Sequence, residues 1–167
     1  DEYITSAMAS STITVDGTPV SKDTNIALGK NIQVSSAENA TVGGDKIVDN
    51  DTSTRWSSEF SDDQWFVVDL GKNYTINKVT FNWEAAYAKA YKVQTSTDGN
   101  NWNTVYETSN CKGGEESIVF DATTCRYVKM QGVKRALDYG YSLWEMGIYE
   151  AVTVQAPQFS LSSGTYK

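Results

Sequence analysis

The segment KIVDNDTSTRW, residues 46–56, sets two carboxylates and an amide side by side at Asp49, Asn50 and Asp51, with a hydroxyl at Thr54. Oxygen donors crowded in this way allow three kinds of chemistry. The side chains can cap their own backbone in a polar turn, hold a hard cation, or supply one half of a carboxylate pair working as acid and base. Composition narrows the choice. The chain contains no histidine, which removes the commonest general base and the usual nitrogen ligand of zinc, and with them any Ser-His-Asp or Cys-His site. Only Cys111 and Cys125 can supply sulfur, so a metal would be held by oxygen, which favours calcium. The loop is not an EF-hand: counted from Asp49, the template's glycine position falls on Thr54 and its closing glutamate position on Phe60.

The elements that must position these groups read as strands. Period-2 segments bounded by Gly, Asn and Asp recur along the chain, and helical periodicity is scarce. WFVVDLG is almost wholly apolar, as for a strand buried on both faces, and INKVTFNW alternates, with Val79, Phe81 and Trp83 on one side. YKVQTSTDGNNWNTVYE reads as two strands about an Asp98-Gly99 turn. SIVF, RYVKMQGV and LWEMGIYE follow. Many short strands with turn signals between them point to an all-β antiparallel sandwich or barrel.

At 167 residues the chain suits one domain with short extensions, large enough to bury a core unaided. Residues 1–24 are Ser/Thr-rich, with one strand-like piece, STITVDGTPV. Residues 151–167 begin a new pattern, which reads as a linker or the start of a following module. The expectation is therefore a module of about 25–150 inside a larger secreted protein. No apolar run approaches the ~18 residues that would span a bilayer. The net charge of −7 disfavours nucleic acid and fits a neutral or cationic ligand better. A disulfide between Cys111 and Cys125 would close a ~15-residue loop and add ~3 kcal/mol. If ESIVF is a strand, however, the two cysteines lie ~15 Å apart at ~3.3 Å per residue, whereas a bridge needs Cα atoms within ~7 Å. Two small unbridged residues, packed or half-exposed, are the favoured reading.

From Asn25 to Glu150 the sequence resembles the discoidin (coagulation factor type C) family, most closely its bacterial branch, the family 32 carbohydrate-binding modules of glucanases and chitosanases. The motifs are NIALGK, VDNDTSTRW, QWFVVDLG, WEAAYAKAYKVQTSTDGNNW and YGYSLWEMGIYE. The resemblance implies a jelly-roll β-sandwich of about eight strands. It also implies a structural calcium held by the Lys46 carbonyl, Asp49, Asp51, Thr54 and Glu145. Carboxylates neutralised by calcium are poor acids or bases, so the catalytic reading of the opening loop recedes.

Sugar recognition needs an aromatic face for the apolar side of a ring, and planar polar groups for its hydroxyls. Of the five tryptophans, Trp56, Trp65 and Trp102 sit in or beside strands and read as core, and Trp83 and Trp144 lean the same way. The better candidates lie in loops. The resemblance to chitosan-binding modules implies a chain-end pocket of Glu38, Arg55, Phe60, Glu84, Tyr87, Arg135, Tyr139 and Tyr141, with Phe60 standing where those relatives carry Tyr. Galactose-binding members use a histidine, which this chain lacks. The resulting expectation is a non-catalytic module that is monomeric within a multimodular chain. It would hold a parent secreted glycoside hydrolase on polysaccharide, recognising glucose- or glucosamine-type chain ends. Two alternatives stand beside it. One is a lipid- or protein-binding adhesion module, disfavoured by polar, acidic loops. The other is a small glycosidase using Glu38 and Glu84, which would need a separation of ~5–9.5 Å.

Overall fold

The computed structural model describes residues 10–155. Its strands are β1 (Ser10–Thr12), β2 (Thr14–Val15), β3 (Thr18–Pro19), β4 (Asn31–Val34), β5 (Trp56–Ser57), β6 (Trp65–Trp83), β7 (Ala88–Ser96), β8 (Asn103–Thr108), β9 (Glu115–Arg135), β10 (Ser142–Glu150) and β11 (Thr153–Gln155). One 3₁₀ turn, Gly44–Val48, precedes the acidic loop.

β6 and β9 are long enough to belong to both layers of the sandwich. They pair antiparallel from Trp65↔Gln131 to Asn82↔Glu115, with register breaks near Asp69/Tyr74 and Ile76/Lys78 where the strands bend. The first half of β6 pairs with β4, and the second half of β9 pairs with β7, which pairs with β8. The second half of β6 pairs with β10, which also takes β5. Each half-strand turns alternate residues inward. Phe66, Val68 and Leu70 from one layer meet Val79, Phe81 and Trp83 from the other, all nearly inaccessible. Phe66 lies edge-on to Trp56 at 5.5 Å and to Phe81 at 6.5 Å, so aromatic edges join the layers.

Four features depart from the sequence reading. WFVVDLG is not buried on both sides: Trp65, Val67 and Asp69 face outward and are half-buried. Trp65 and Trp102 therefore do not join the core, whereas Trp56 and Trp83 do. The strand-like piece near the N-terminus is a two-residue hairpin, β2–β3, with Asp16 at φ 51° and Gly17 at φ 78°, the left-handed pair that such a tight turn requires. The residues flanking 25–150 also pair with each other, β1 with β11 and Ser21 with Ala151, so both ends of the module share one small antiparallel patch. Residues 156–167, most of the expected following module, lie outside the described residues. Cys111 and Cys125 are free and buried; burial pushes their thiols up to about 11 and about 12.

A carboxylate polices the core. Glu116 Oε2 accepts hydrogen bonds from Trp83 Nε1 at 2.8 Å and from the Tyr91 hydroxyl at 2.7 Å, and both aromatics are almost fully buried. Leaving buried donors unpaired costs about 1–3 kcal/mol each. Glu116→Ala is therefore expected to lower unfolding free energy by about 2 kcal/mol or more. Urea denaturation checks this through a lower midpoint with an unchanged m value.

Candidate functional site

The loops at one end of the sandwich enclose a cavity of about 320 Å³, lined among others by Glu38, Arg55, Phe60, Glu84, Leu137 and Tyr139. Each of these loops is pinned from beneath. The Glu38 loop is held by Trp56 Nε1, which donates to the Ser36 carbonyl at 2.9 Å, and by Ser35 and Ser36, whose hydroxyls donate to Gln64 Oε1. Glu84 Oε2 accepts from the backbone N–H of Ala86 at 2.9 Å, which fixes the turn after β6. Arg55 donates through Nε to Ser57 Oγ at 3.3 Å, and its guanidinium lies 5.8 Å from the centre of the Trp144 ring. Phe60 and Tyr139 meet edge-to-face at 5.9 Å, with 52% and 62% of their surface open to solvent. An exposed aromatic pair of this kind is poor packing but a good platform for a ligand ring.

Of the eight residues named from the resemblance, Glu38, Arg55, Phe60, Glu84 and Tyr139 line this cavity and Tyr87, Arg135 and Tyr141 do not. Tyr141 is fully buried. Its hydroxyl donates to the Asp62 carbonyl at 2.7 Å, and its ring lies where any side chain at position 132 would sit, so Gly132 is required beneath it. It cannot stack on a sugar; it anchors the loop that carries Tyr139. Arg135 also positions rather than binds. Nε donates to Asp62 Oδ1 at 2.9 Å, and Nη1 donates to the carbonyls of Asp138 and Tyr139. Tyr87 is half-buried, its ring against Gly113 and its carbonyl taking the Ala136 N–H. Sequence reasoning missed Leu137, which is 45% exposed on the rim. Its signal was an apolar residue amid the polar loop KRALDYG. Gly140 closes the wall: a Cβ there would stand 2.1 Å from the Ser58 carbonyl oxygen.

The acidic loop lies beside β10. Asn50 takes φ 59°, which turns the chain so that the Asp51 N–H donates both to Asp49 Oδ1 and to Glu145 Oε1 at 3.0 Å. Thr54 Oγ1 donates to Asp49 Oδ2 at 2.6 Å, while the Asp51 carboxylate accepts from the N–H and hydroxyl of Ser53. Burial, then the neighbouring Asp49, pushes Glu145 up to about 8. Burial also acts to raise Asp49, but hydrogen bonds from Glu145, Thr54 and Asp51 hold it below the usual carboxylate range. Two carboxyl groups thus converge on one backbone N–H, a place that a cation could also take. Among the described residues no three acidic or cysteine side chains gather as a metal cluster. The oxygen donors gathered here are two carboxyl groups and a hydroxyl, of kinds that a hard cation accepts.

A two-layer jelly roll with a ligand cavity at its loop end and an acidic loop tied to its last long strand is the arrangement of a discoidin-type module. The chain belongs to the F5/8 type C domain family, which matches residues 31–146. Chitosan-binding module 1 of a chitosanase/glucanase from Paenibacillus sp. IK-5 is 45% identical and superposes with a TM-score of 0.74 over 75% of this chain and 98% of its own. Module 2 of the same enzyme, solved with chitotriose, is 43% identical with a TM-score of 0.74 over 75% of this chain and 99% of its own. The polysaccharide lyase 8 family protein HylA of Enterococcus faecalis is 31% identical over 123 residues, 66% of this chain but 9% of its own length. The chain therefore spans only a small part of that curated relative.

The loop end carries its own pH dependence. Hydrogen bonds from the Arg135 backbone N–H and then from its guanidinium hold the Asp62 carboxyl below its ordinary 3.8. An acid depressed in the folded state stabilises that state above its ordinary pKa, and the contribution is lost as pH falls through the folded value. Wild type is expected to melt higher than Asp62→Asn at pH 7, with the gap narrowing once pH drops below about 4. Thermal melts of the two proteins across pH 7 to pH 2.5 check this.

Proposed function

We propose that this chain is a non-catalytic carbohydrate-binding module that takes the end of a glucose- or glucosamine-type chain in its loop-end cavity. The observation that carries the reading is the exposed Phe60–Tyr139 pair standing beside Glu38, Glu84 and Arg55 in a cavity of about 320 Å³. The aromatic pair offers a surface for the apolar face of a pyranose. The carboxylates and guanidinium offer charge-assisted hydrogen bonds to hydroxyls or to a protonated amine. The likeness to modules named as chitosan-binding, one of them solved with chitotriose, supports the glucosamine branch. In this reading the module sits in a secreted, multimodular polysaccharide-degrading protein and holds it on its substrate, weak single-site affinity being offset by multivalency.

Affinity for one or two enclosed rings is expected at a Kd of roughly 10 μM to 1 mM, about 4–7 kcal/mol. Tyr139→Ala and Glu84→Gln should each weaken binding of the glucosamine trimer about tenfold, ~1.4 kcal/mol. If the amine is what the carboxylates grip, affinity should also fall as salt rises. Calorimetry against glucosamine and glucose oligomers measures all three effects. Wild-type affinity retained by both variants would move the site to other loops. Turnover of an oligosaccharide, abolished by Glu38→Gln or Glu84→Gln, would replace the module reading with a glycosidase.

We further propose that calcium occupies the acidic loop, held by Asp49, Glu145 and Thr54 with the carbonyls of Lys46 and Asp51. The support is the convergence of the Asp49 and Glu145 carboxyl groups on the Asp51 N–H with Thr54 beside them, a place where a divalent ion would remove the repulsion between two carboxylates. Bound calcium would fasten β10 to the loop and supply no chemistry to the sugar site. A ligand held only by the folded state stabilises it by ~2.7 kcal/mol at a hundredfold excess over Kd. EDTA is expected to lower the melting temperature by several degrees, and added calcium to restore it. An unchanged melt, with no ion found by elemental analysis, would remove calcium from the picture.

A further inference from the structure

A second cavity among the described residues lies away from the loop end. A cleft of about 610 Å³ lies over the outer face of β4, β6 and β9, bounded on one side by the 97–102 connection between β7 and β8. Its floor follows from register. Gln33 stands opposite Val67, and Val67 opposite Lys129; Asn31 stands opposite Asp69, and Asp69 opposite Tyr127. Trp65 and Trp102 flank this floor, and the Lys129 ammonium lies 5.4 Å and 5.5 Å from the centres of their rings, bracing both. From residue 65 to residue 69 the floor runs ~13 Å at ~3.3 Å per residue, the length of a short oligosaccharide rather than of one ring.

The polar groups here divide into two sets. The Asp69 carboxylate is committed to Arg126, with contacts of 2.8 Å and 3.0 Å, and the Asp98 carboxylate to Ser96, Asn100 and Asn101 in its turn. Among the described residues, the side-chain polar groups of Asn31, Gln33, Trp65, Trp102, Tyr127 and Lys129 make no hydrogen bond within the chain, though all six line one cleft. Solvent-facing sheet surfaces are ordinarily polar, so a half-buried tryptophan on this one, met by a second from the adjoining connection, is unusual. Aromatic faces surrounded by uncommitted amide, hydroxyl and N–H groups match a saccharide, whose rings carry apolar faces edged by hydroxyls. The one uncommitted charge is a cation, which disfavours an amino sugar here and suits an uncharged chain.

We propose that this sheet-face cleft is a second saccharide site, taking a short segment of an uncharged glucan-type chain between Trp65 and Trp102, separate from the loop-end cavity and different from it in charge preference. Two sites on one module would let it engage a polysaccharide at two points, which raises effective affinity without tightening either site.

The test uses the full chain, isotopically labelled, with cellotetraose, laminaritetraose and the glucosamine trimer as probes. Cellotetraose or laminaritetraose is expected to shift the indole N–H resonances of Trp65 and Trp102, both in wild type and in Tyr139→Ala, while the glucosamine trimer leaves them in place. Trp65→Ala with Trp102→Ala should weaken binding of the neutral oligomer to the Tyr139→Ala background at least tenfold. The resonance shifts in wild type stand as an independent readout if the tryptophan variants fold poorly. Neutral oligomers that leave both indole resonances unmoved at millimolar concentration would overturn the proposal, as would shifts of those resonances that vanish in Tyr139→Ala. Either result leaves the loop-end reading intact. Shifts confined to the cleft with every probe silent at the loop end would instead remove the loop-end reading and keep this one.

Discussion

The antiparallel pairing of β6 with β9 is the constraint on which the other features hang. Both strands are too long for a single flat layer, and a twisted sheet of that span must bend or split. The register breaks near Asp69/Tyr74 and Ile76/Lys78 are where it bends. Beyond the bend each strand changes partners, β4 and β7 on one side and β10 on the other, so one pair of strands supplies both faces of the core. Phe66 and Phe81 come from the two halves of the same strand and meet across the interior. The pairing also decides where the ends of these strands emerge, and hence where the loops of Phe60 and Tyr139 can meet.

The loop end divides neighbouring residues sharply between exposed and buried. Tyr139 and Tyr141 are two residues apart, yet one is mostly open to solvent and the other wholly buried. Residues two apart on an extended strand would share a face; the bends at 136–139 break that pattern and let the two rings part. The buried ring and its bond to the Asp62 carbonyl, together with the fork of Arg135 onto Asp62 and the Asp138 and Tyr139 carbonyls, fix the segment in place. A wall already held this way would not have to be ordered by anything that binds against it.

The two cavities differ in what their charges are doing. At the loop end Glu38, Glu84 and Arg55 face the cavity; on the sheet face the carboxylates of Asp69 and Asp98 are tied up within the fold and Lys129 is left as the open charge. One chain of net charge −7 thus presents surfaces of different local charge. Net charge bounds the class of partner, but the local pairing of each carboxylate decides what a given surface attracts.

The alternation of Val79, Phe81 and Trp83, the turn residues at Asp98-Gly99 and the lack of helical periodicity determined an all-β chain, because period and turn chemistry are local properties. The absence of histidine likewise removed whole classes of chemistry without any coordinates. The motif resemblance brought together Glu38, Arg55, Phe60, Glu84 and Tyr139, which do share a cavity. Tertiary structure alone decided the rest. Which of Tyr139 and Tyr141 faces solvent depends on what packs beneath the loop, here Gly132 and Asp62. WFVVDLG carries apolar residues on both faces, and no local pattern says that its outer face, with Trp65, lies in an open cleft rather than under another layer. Trp102 reaches that same cleft from a turn more than thirty residues away in sequence. Burial is set by what the rest of the chain places overhead, and a sequence read segment by segment does not contain that information.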